Sequence, residues 1–322
     1  MMKQRLSAIA CVLVMSFCVA PSARSWGCKG HQTVALMAEK HLTPEARQFV
    51  EKLLAENPID PKLRRYCGNV TNDLLVDAAT WPDDVRSERH NGPWHYIDIP
   101  RGKHKGSLEE YCGADGCVTR AIEEQRAILK DKSADPVKHA EAIRYLIHFV
   151  GDLHQPLHVT SNGDNGGNCV PVKYLHREPL PNPLHPEDYS PNLHQIWDTE
   201  MIERDMEVSN PHRYADELDE KFRAQSASWE AAGIHLDDWA WEVHERAETE
   251  VYDAFSVKIA VEPDVKPKGC SDNQHIGKRM FEKHLTADET YQARAAKAAE
   301  KSLVEAGVRL AMILNDAAKS NP

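Results

Sequence analysis

The chain has 322 residues, 41% of them hydrophobic and 28% charged, with a formal net charge of −11. That composition suits a folded domain rather than a disordered or low-complexity chain. The acidic excess excludes a global basic footprint of the kind that grips nucleic acid through its phosphates, so any anionic ligand must meet local positive charge, for which bound metal is one source.

Residues 1–25, MMKQRLSAIACVLVMSFCVAPSARS, place Lys3 and Arg5 before an apolar run from Leu6 to Ala20 and close on the small residues Ala23 and Ser25. This is the pattern of a secretory signal peptide cleaved after Ser25. The run is shorter than the roughly 18–20 apolar residues that a membrane anchor needs. The expected mature chain, 26–322, is more acidic still, because Lys3, Arg5 and Arg24 leave with the leader. It is expected to be secreted or periplasmic, without stable membrane association. Of the eight cysteines, Cys28, Cys67, Cys112, Cys117, Cys169 and Cys270 stay in that mature chain. An even number in an exported protein predicts three disulfides. Cys112 and Cys117 bracket a Gly-Ala-Asp-Gly turn and predict a local bridge, whereas the pairing of the other four stays open.

In chain order, Thr33–His41 reads as helix, and Thr43-Pro44 opens a second one with an N-cap threonine and a proline at the first helical position. Asn72–Ala79 continues the helical pattern up to Trp81-Pro-Asp-Asp, and Trp94–Pro100 reads as extended. Thr119–Leu129 and Val137–Leu153 are amphipathic helices, followed by the glycine-rich loop Asn162–Asn168 and an irregular, proline-rich Pro179–Pro191. Further helices are expected over Leu193–Met206, Pro211–Glu230, Leu236–Phe255, Gly277–His284 and Ala287–Asp316. With no internal repeat and no sustained strand alternation, the expected fold is all-α, a single-domain helical bundle over 26–322. Val261–Gly269 is then a loop inside the bundle rather than an interdomain linker, since the terminal helices alone form too small a core.

Among 17 histidines the densest company is His148-Phe-Val-Gly-Asp152-Leu-His154-Gln-Pro-Leu-His158. His148 and Asp152 lie one helical turn apart on one face, so an imidazole and a carboxylate can grip one divalent cation. Pro156 ends the helix and frees His158 to turn back. His194 and Asp198 repeat the H-x3-D spacing on another expected helix. Each pair alone also fits a structural hydrogen bond; together they offer the nitrogen and oxygen ligands that zinc takes in hydrolytic sites. Trp81-Pro-Asp83-Asp-Val-Arg86 and Trp94-His95-Tyr96-Ile97-Asp98 are weaker, since Asp83 could cap a helix and His95 could be a satisfied core histidine. His154 falls off the ligand face, and Trp229, Trp239 and Trp241 read as core anchors. Asn69-Val-Thr71 is a glycosylation sequon that chance also supplies.

Taken in order, W-x4-H at Trp26 and His31, W-P-D-x-x-R, W-H-Y-I-D, H-x3-D-x-H-Q-P-L-H, G-G-N and N-L-H-x3-D resemble the trinuclear-zinc, single-strand-preferring nucleases of the S1/P1 type, relatives of the bacterial zinc phospholipases C. The resemblance covers Trp26 to Asp198. It implies three zinc ions: one on Asp83, His95, His148 and Asp152; one on the free amine and carbonyl of Trp26 with His31 and a shared Asp152; one on His158, His194 and Asp198. Three such ions against three carboxylates leave the pocket at about +3. The implied activity is endonuclease and 3′-nucleotidase, hydrolysing single-stranded DNA and RNA and 3′-nucleotides to 5′-phosphate products by attack of a metal-bridging hydroxide, with Arg86 adding charge and Asp83 orienting the nucleophile. Tyr96 is a candidate for stacking on a base, as against a core aromatic; Asp98 for accepting from a base edge; Asn168 for touching substrate, as against holding a turn. No protein partner is implied. The four residues between Trp26 and His31, and aspartate at Asp198, favour nuclease over phospholipase; a non-catalytic zinc-binding protein is the alternative from another class.

Overall fold

The computed structural model describes residues 26–63, 66–68, 71–206, 210–262 and 269–321. The expected signal peptide, Asn69 of the sequon and most of Val261–Gly269 lie outside them.

Helix starts follow their sequence signals. Thr43 accepts from Ala46 N–H to open Pro44–Glu56, Asp135 caps Pro136–Leu153, Asn210 caps Pro211–Ala232 and Asp288 caps Glu289–Ser320. That last helix is the spine: it packs against Cys28–His41, Pro44–Glu56, Val118–Lys130, Pro136–Leu153 and Pro211–Ala232. The chain is mainly helical, as its patterning predicts, and among the described residues strands are confined to two-residue pairings such as Ile99–Pro100 with Thr160–Ser161 and Lys173–Tyr174 with Thr286–Ala287. Trp239 and Trp241 are buried and Trp229 packs against the core.

The Cys28–His41 helix and the spine touch so closely that a Cβ on Gly307 would stand 2.3 Å from Met37 Cβ and 3.1 Å from the Ala38 nitrogen. Gly307→Ala is therefore expected to lose about 1–3 kcal/mol by overpacking, read as a lowered urea midpoint. An unchanged midpoint would mean that the two backbones separate freely.

The structure joins Cys112 to Cys117, as the turn between them predicts, and resolves the rest as Cys28–Cys67 and Cys169–Cys270. The last bridge spans 101 residues and ties the segment before the spine to the glycine-rich loop. In the chain-entropy account a closure of that length removes on the order of 4–5 kcal/mol of freedom from the unfolded chain.

Three expectations change. Trp94 and His95 are not extended but sit in a 3₁₀ turn, Gly92–His95, where Pro93 holds the second position and Trp94 packs edge-on to Tyr145 and Phe149. The helices over Leu193–Met206 and Leu236–Phe255 are each broken by a π-helical stretch, Ile196–Glu200 and Ala247–Tyr252. Pro179–Pro191 is not wholly irregular, since Leu180–Pro181 pairs antiparallel with Tyr189–Ser190.

Candidate metal centre

The helix Pro136–Leu153 is buried along the turns that carry His148 and Asp152. His148 donates from Nδ1 to the Ala79 carbonyl at 2.8 Å, which leaves Nε2 as a bare lone pair aimed inward. That nitrogen lies 3.4 Å from Asp152 Oδ2, 3.8 Å from Asp83 Oδ2 and 3.0 Å from His95 Nδ1. His31, from the first helix, stacks on His148 at 3.9 Å and brings its Nε2 to 3.4 Å from Asp152 Oδ1. The two oxygens of Asp152 thus face different ways, Oδ1 toward His31 and Oδ2 toward His95 at 3.0 Å. The entry to the first helix is fixed too: Gly27 N–H donates to the Asp198 carbonyl at 2.7 Å, and the Trp26 indole is fully buried.

Beyond Leu153 the chain resets. Gln155 accepts from Leu157 N–H and opens the short helix Pro156–Val159, so His158 points back as Pro156 predicts. His158 donates from Nδ1 to the His95 carbonyl at 2.8 Å, which couples it to the first group. His194 donates from Nδ1 to the Gly166 carbonyl at 2.6 Å and sets Nε2 3.1 Å from Asp198 Oδ2. Asp198 Oδ1 accepts from the Gln155 amide at 2.5 Å and stands 4.0 Å from His158 Nε2. Three groups therefore hold ligand atoms within 4.8 Å of one another: His31, His148 and Asp152; Asp83, His95 and His148; His158, His194 and Asp198.

The donor set fits a divalent cation. Buried lone pairs of imidazole and carboxylate oxygens converge, and Asp152 Oδ1 and His158 Nε2 have no hydrogen-bond partner among the described residues. Left so, they repel and forgo solvation; a cation satisfies them together. The backbone carbonyls that accept from His148, His158 and His194 make outer bonds of the kind that orient imidazoles toward a metal.

Burial drives the electrostatics. It holds His148 down to about 3, against a lesser upward pull from the Ala79 carbonyl, and it holds His31, His95 and His158 well below the ordinary range, with neighbouring imidazoles adding to the effect. Burial raises Asp152, reinforced by Asp83, and raises Asp198 against the pull of His194. Once pH falls below the ordinary histidine value of 6.5, the unfolded chain takes up protons that these four folded imidazoles refuse. The two raised carboxylates act oppositely, since the folded state protonates them first. The imidazoles outnumber them, so chelator-stripped protein is expected to lose on the order of 1–3 kcal/mol per unit as pH falls from 6.5 toward 4. Urea unfolding at stepped pH reads this; stability that is flat or rises on acidification would contradict it.

A cavity of about 180 Å³ opens over His95, His158 and His194 and gathers Arg86, Tyr96, Asp98 and Asn168 at its walls. A larger hollow of about 710 Å³, behind Trp94 and Tyr145, holds none of the ligand candidates. Tyr96 is 37% exposed, so it is a rim residue and not a core aromatic. Asn168 lines the cavity, yet its amide donates to the Asn165 carbonyl at 2.8 Å, as a turn asparagine does. His154 faces away, donating to the Val150 carbonyl and accepting from Arg309 at 2.9 Å. Sequence reading missed Gln155 and the Gly166 carbonyl; the Gln-Pro cap signal and the paired glycines were their traces.

A family model described as S1/P1 Nuclease matches residues 26–319. Endonuclease 4 of Arabidopsis thaliana is 28% identical over 93% of this chain and 91% of its own length. Nuclease S1 of Aspergillus oryzae is 26% identical over 90% and 91%. Nuclease P1 of Penicillium citrinum is 32% identical over 56% and 59%. Among the described residues no helix is long and apolar enough to cross a membrane. Three buried His/Asp groups, two of them reaching one cavity through His95, His158 and His194, and a match across nearly all of 26–322 agree, and the chain belongs to the S1/P1 nuclease family.

Proposed function

We propose that residues 26–322 act as one exported nuclease domain that cuts single-stranded DNA and RNA to 5′-phosphate products and also hydrolyses 3′-nucleotides. The family is a zinc-dependent one of single-strand-preferring nucleases, which gives the reaction class. The observation that carries the residue assignments is the convergence of buried imidazole nitrogens and carboxylate oxygens into three groups, two of which reach one cavity through His95, His158 and His194. In this reading Asp83, His95, His148 and Asp152 hold one ion; His31, Asp152 and the amine and carbonyl of Trp26 hold a second; His158, His194 and Asp198 hold a third. When bound, zinc supplies a nucleophile at neutral pH and positive charge for the phosphate within an acidic protein.

The chain's own residues do the rest. Asp83 presents a carboxylate 3.9 Å from His95 Nδ1, where it can also orient a water. Arg86 adds charge at the cavity wall for the phosphoryl oxygens of the transition state. Tyr96, standing at the rim, offers a face on which an unpaired base stacks; a paired base is already stacked, so single strands gain most. Asp98 accepts from the base edge, and Asn168, lining the same cavity, is placed to touch substrate. Three disulfides suit an oxidising compartment.

Protein beginning at Trp26 is expected to hold three zinc ions and to cleave single-stranded substrate far faster than duplex, leaving 5′-phosphate ends. One extra residue ahead of Trp26 converts its amine to an amide, which no longer chelates, and is expected to cost one zinc and at least about 100-fold in rate. Equal zinc content and equal rate in the extended protein would refute the Trp26 assignment.

A further inference from the structure

The third group differs from the others in what stands behind it. His194 is oriented by the Gly166 carbonyl, which belongs to the loop Asn162–Asn168 and not to a helix. That loop lies flat on the turn bearing His158: a Cβ on Gly166, whose φ is +58°, would stand 2.5 Å from the Leu157 carbonyl oxygen.

The loop's ends are held by Asn162, bonded to Ala260 and Glu262, and by the Cys169–Cys270 bridge; its centre is gathered by Asp164, a fully buried carboxylate that lies in none of the candidate metal groups. Its Oδ1 accepts from the Asn162 N–H at 3.1 Å and the Gly167 N–H at 3.0 Å. The Tyr252 hydroxyl reaches Oδ2 at 3.0 Å and Oδ1 at 3.2 Å. Burial holds the Tyr252 phenol well above its ordinary range, so it keeps the proton it donates. Tyr252 is the last residue of the π-helical stretch Ala247–Tyr252, and the Arg101 guanidinium lies over its ring at 4.9 Å. Arg101 in turn is held by the Ile259 carbonyl at 2.8 Å and Asp253 at 2.5 Å.

The same π stretch braces the other side of the group. Trp197, which precedes Asp198, donates its indole N–H to the Tyr291 hydroxyl at 3.0 Å, and that hydroxyl donates to the Val251 carbonyl at 3.2 Å. Both π stretches thus meet the third group, one carrying Asp198 and the other backing it. Such bulges reposition one side chain at the expense of regular helix bonding; here one stretch carries Asp198 itself, and the other reaches the group through Asp164 and, by way of Tyr291, Trp197.

We propose that Asp164 and Tyr252 are positioning residues for the third group: together they hold the Gly166 carbonyl, and through it the Nε2 direction of His194. This rests on reading His158, His194 and Asp198 as a zinc-binding set. With the loop released, His194 loses the acceptor that fixes its tautomer and its aim, while the other two groups, oriented by the Ala79 carbonyl and by Asp152, are untouched.

The test is competition for zinc with a chromophoric chelator, on full-length mature protein and its variants, alongside thermal unfolding of the stripped forms. Tyr252→Phe and Asp164→Ala are expected to bind one zinc about 10- to 100-fold more weakly and the other two as before. Asp164→Asn keeps an oxygen for the two backbone N–H groups and is expected to stay within about threefold of the parent. Should Asp164→Ala fail to fold, Tyr252→Phe carries the test, since it deletes one hydroxyl. Parental affinity at all three sites in Tyr252→Phe overturns the proposal, as does uniform weakening of all three. His194→Ala separates the two readings: if it still binds three zinc ions, the ligand assignment itself fails, whereas loss of one there with Tyr252→Phe unaffected confines the failure to the positioning role.

Discussion

Replacing Asp152 with alanine is expected to lower cleavage of single-stranded substrate by on the order of 1,000-fold or more, and to remove zinc from two groups while sparing the third. The expectation follows from where its oxygens point. Oδ1 lies 3.4 Å from His31 Nε2, and Oδ2 lies 3.0 Å from His95 Nδ1 and 3.4 Å from His148 Nε2, so one carboxylate faces the ligand candidates of two adjoining groups. His158, His194 and Asp198 share no ligand atom with it. Asp83→Ala touches only one of those groups and is expected to cost one zinc. Zinc quantification on gel-filtered protein decides the matter. An Asp152→Ala protein that retains three zinc ions, or loses the one held near His194, would show that Asp152 does not bridge.

Much of this centre is legible in the sequence because its contacts are local. An H-x3-D pair on a helix needs only 3.6-residue geometry to place both groups on one face, and His148 with Asp152 confirms that geometry at 3.4 Å. Pro156 likewise announces the reset that turns His158 inward. Asp83, His95 and His31 are harder, because nothing local says that three separate segments converge on one helix; there the family resemblance supplied what spacing could not. The pairing of Cys28 with Cys67 and of Cys169 with Cys270 is long-range in the same sense. The π stretches were illegible for another reason. Apolar periodicity reports which face is buried and not which hydrogen-bond step is used, so Ile196–Glu200 reads as ordinary helix. The role of the glycine-rich loop was hidden because its contribution to the centre is a backbone carbonyl, to which no side-chain identity points directly.

Arg86→Ala is expected to separate charge at the cavity wall from metal binding. Arg86 is half-buried beside the turn Trp81–Asp84, and its guanidinium nitrogen packs 3.5 Å from where a Cβ on Gly92 would stand. Its charge already reaches the centre: it pulls Asp152 down against burial and pushes His95 and His148 lower. It belongs to none of the three ligand groups, so its loss is expected to leave zinc content unchanged. Charge on the phosphoryl oxygens grows toward the transition state, so kcat should fall by about 100- to 1,000-fold while KM moves far less. Arg86→Lys restores a point charge without the planar fork, and is expected to recover only part of that loss. Steady-state kinetics on a short single-stranded oligonucleotide, with zinc counted on the same preparations, tests both variants. A rate within about threefold of the parent in Arg86→Ala would remove Arg86 from the chemistry, because a donor aimed at the developing charge carries at least about 2.7 kcal/mol.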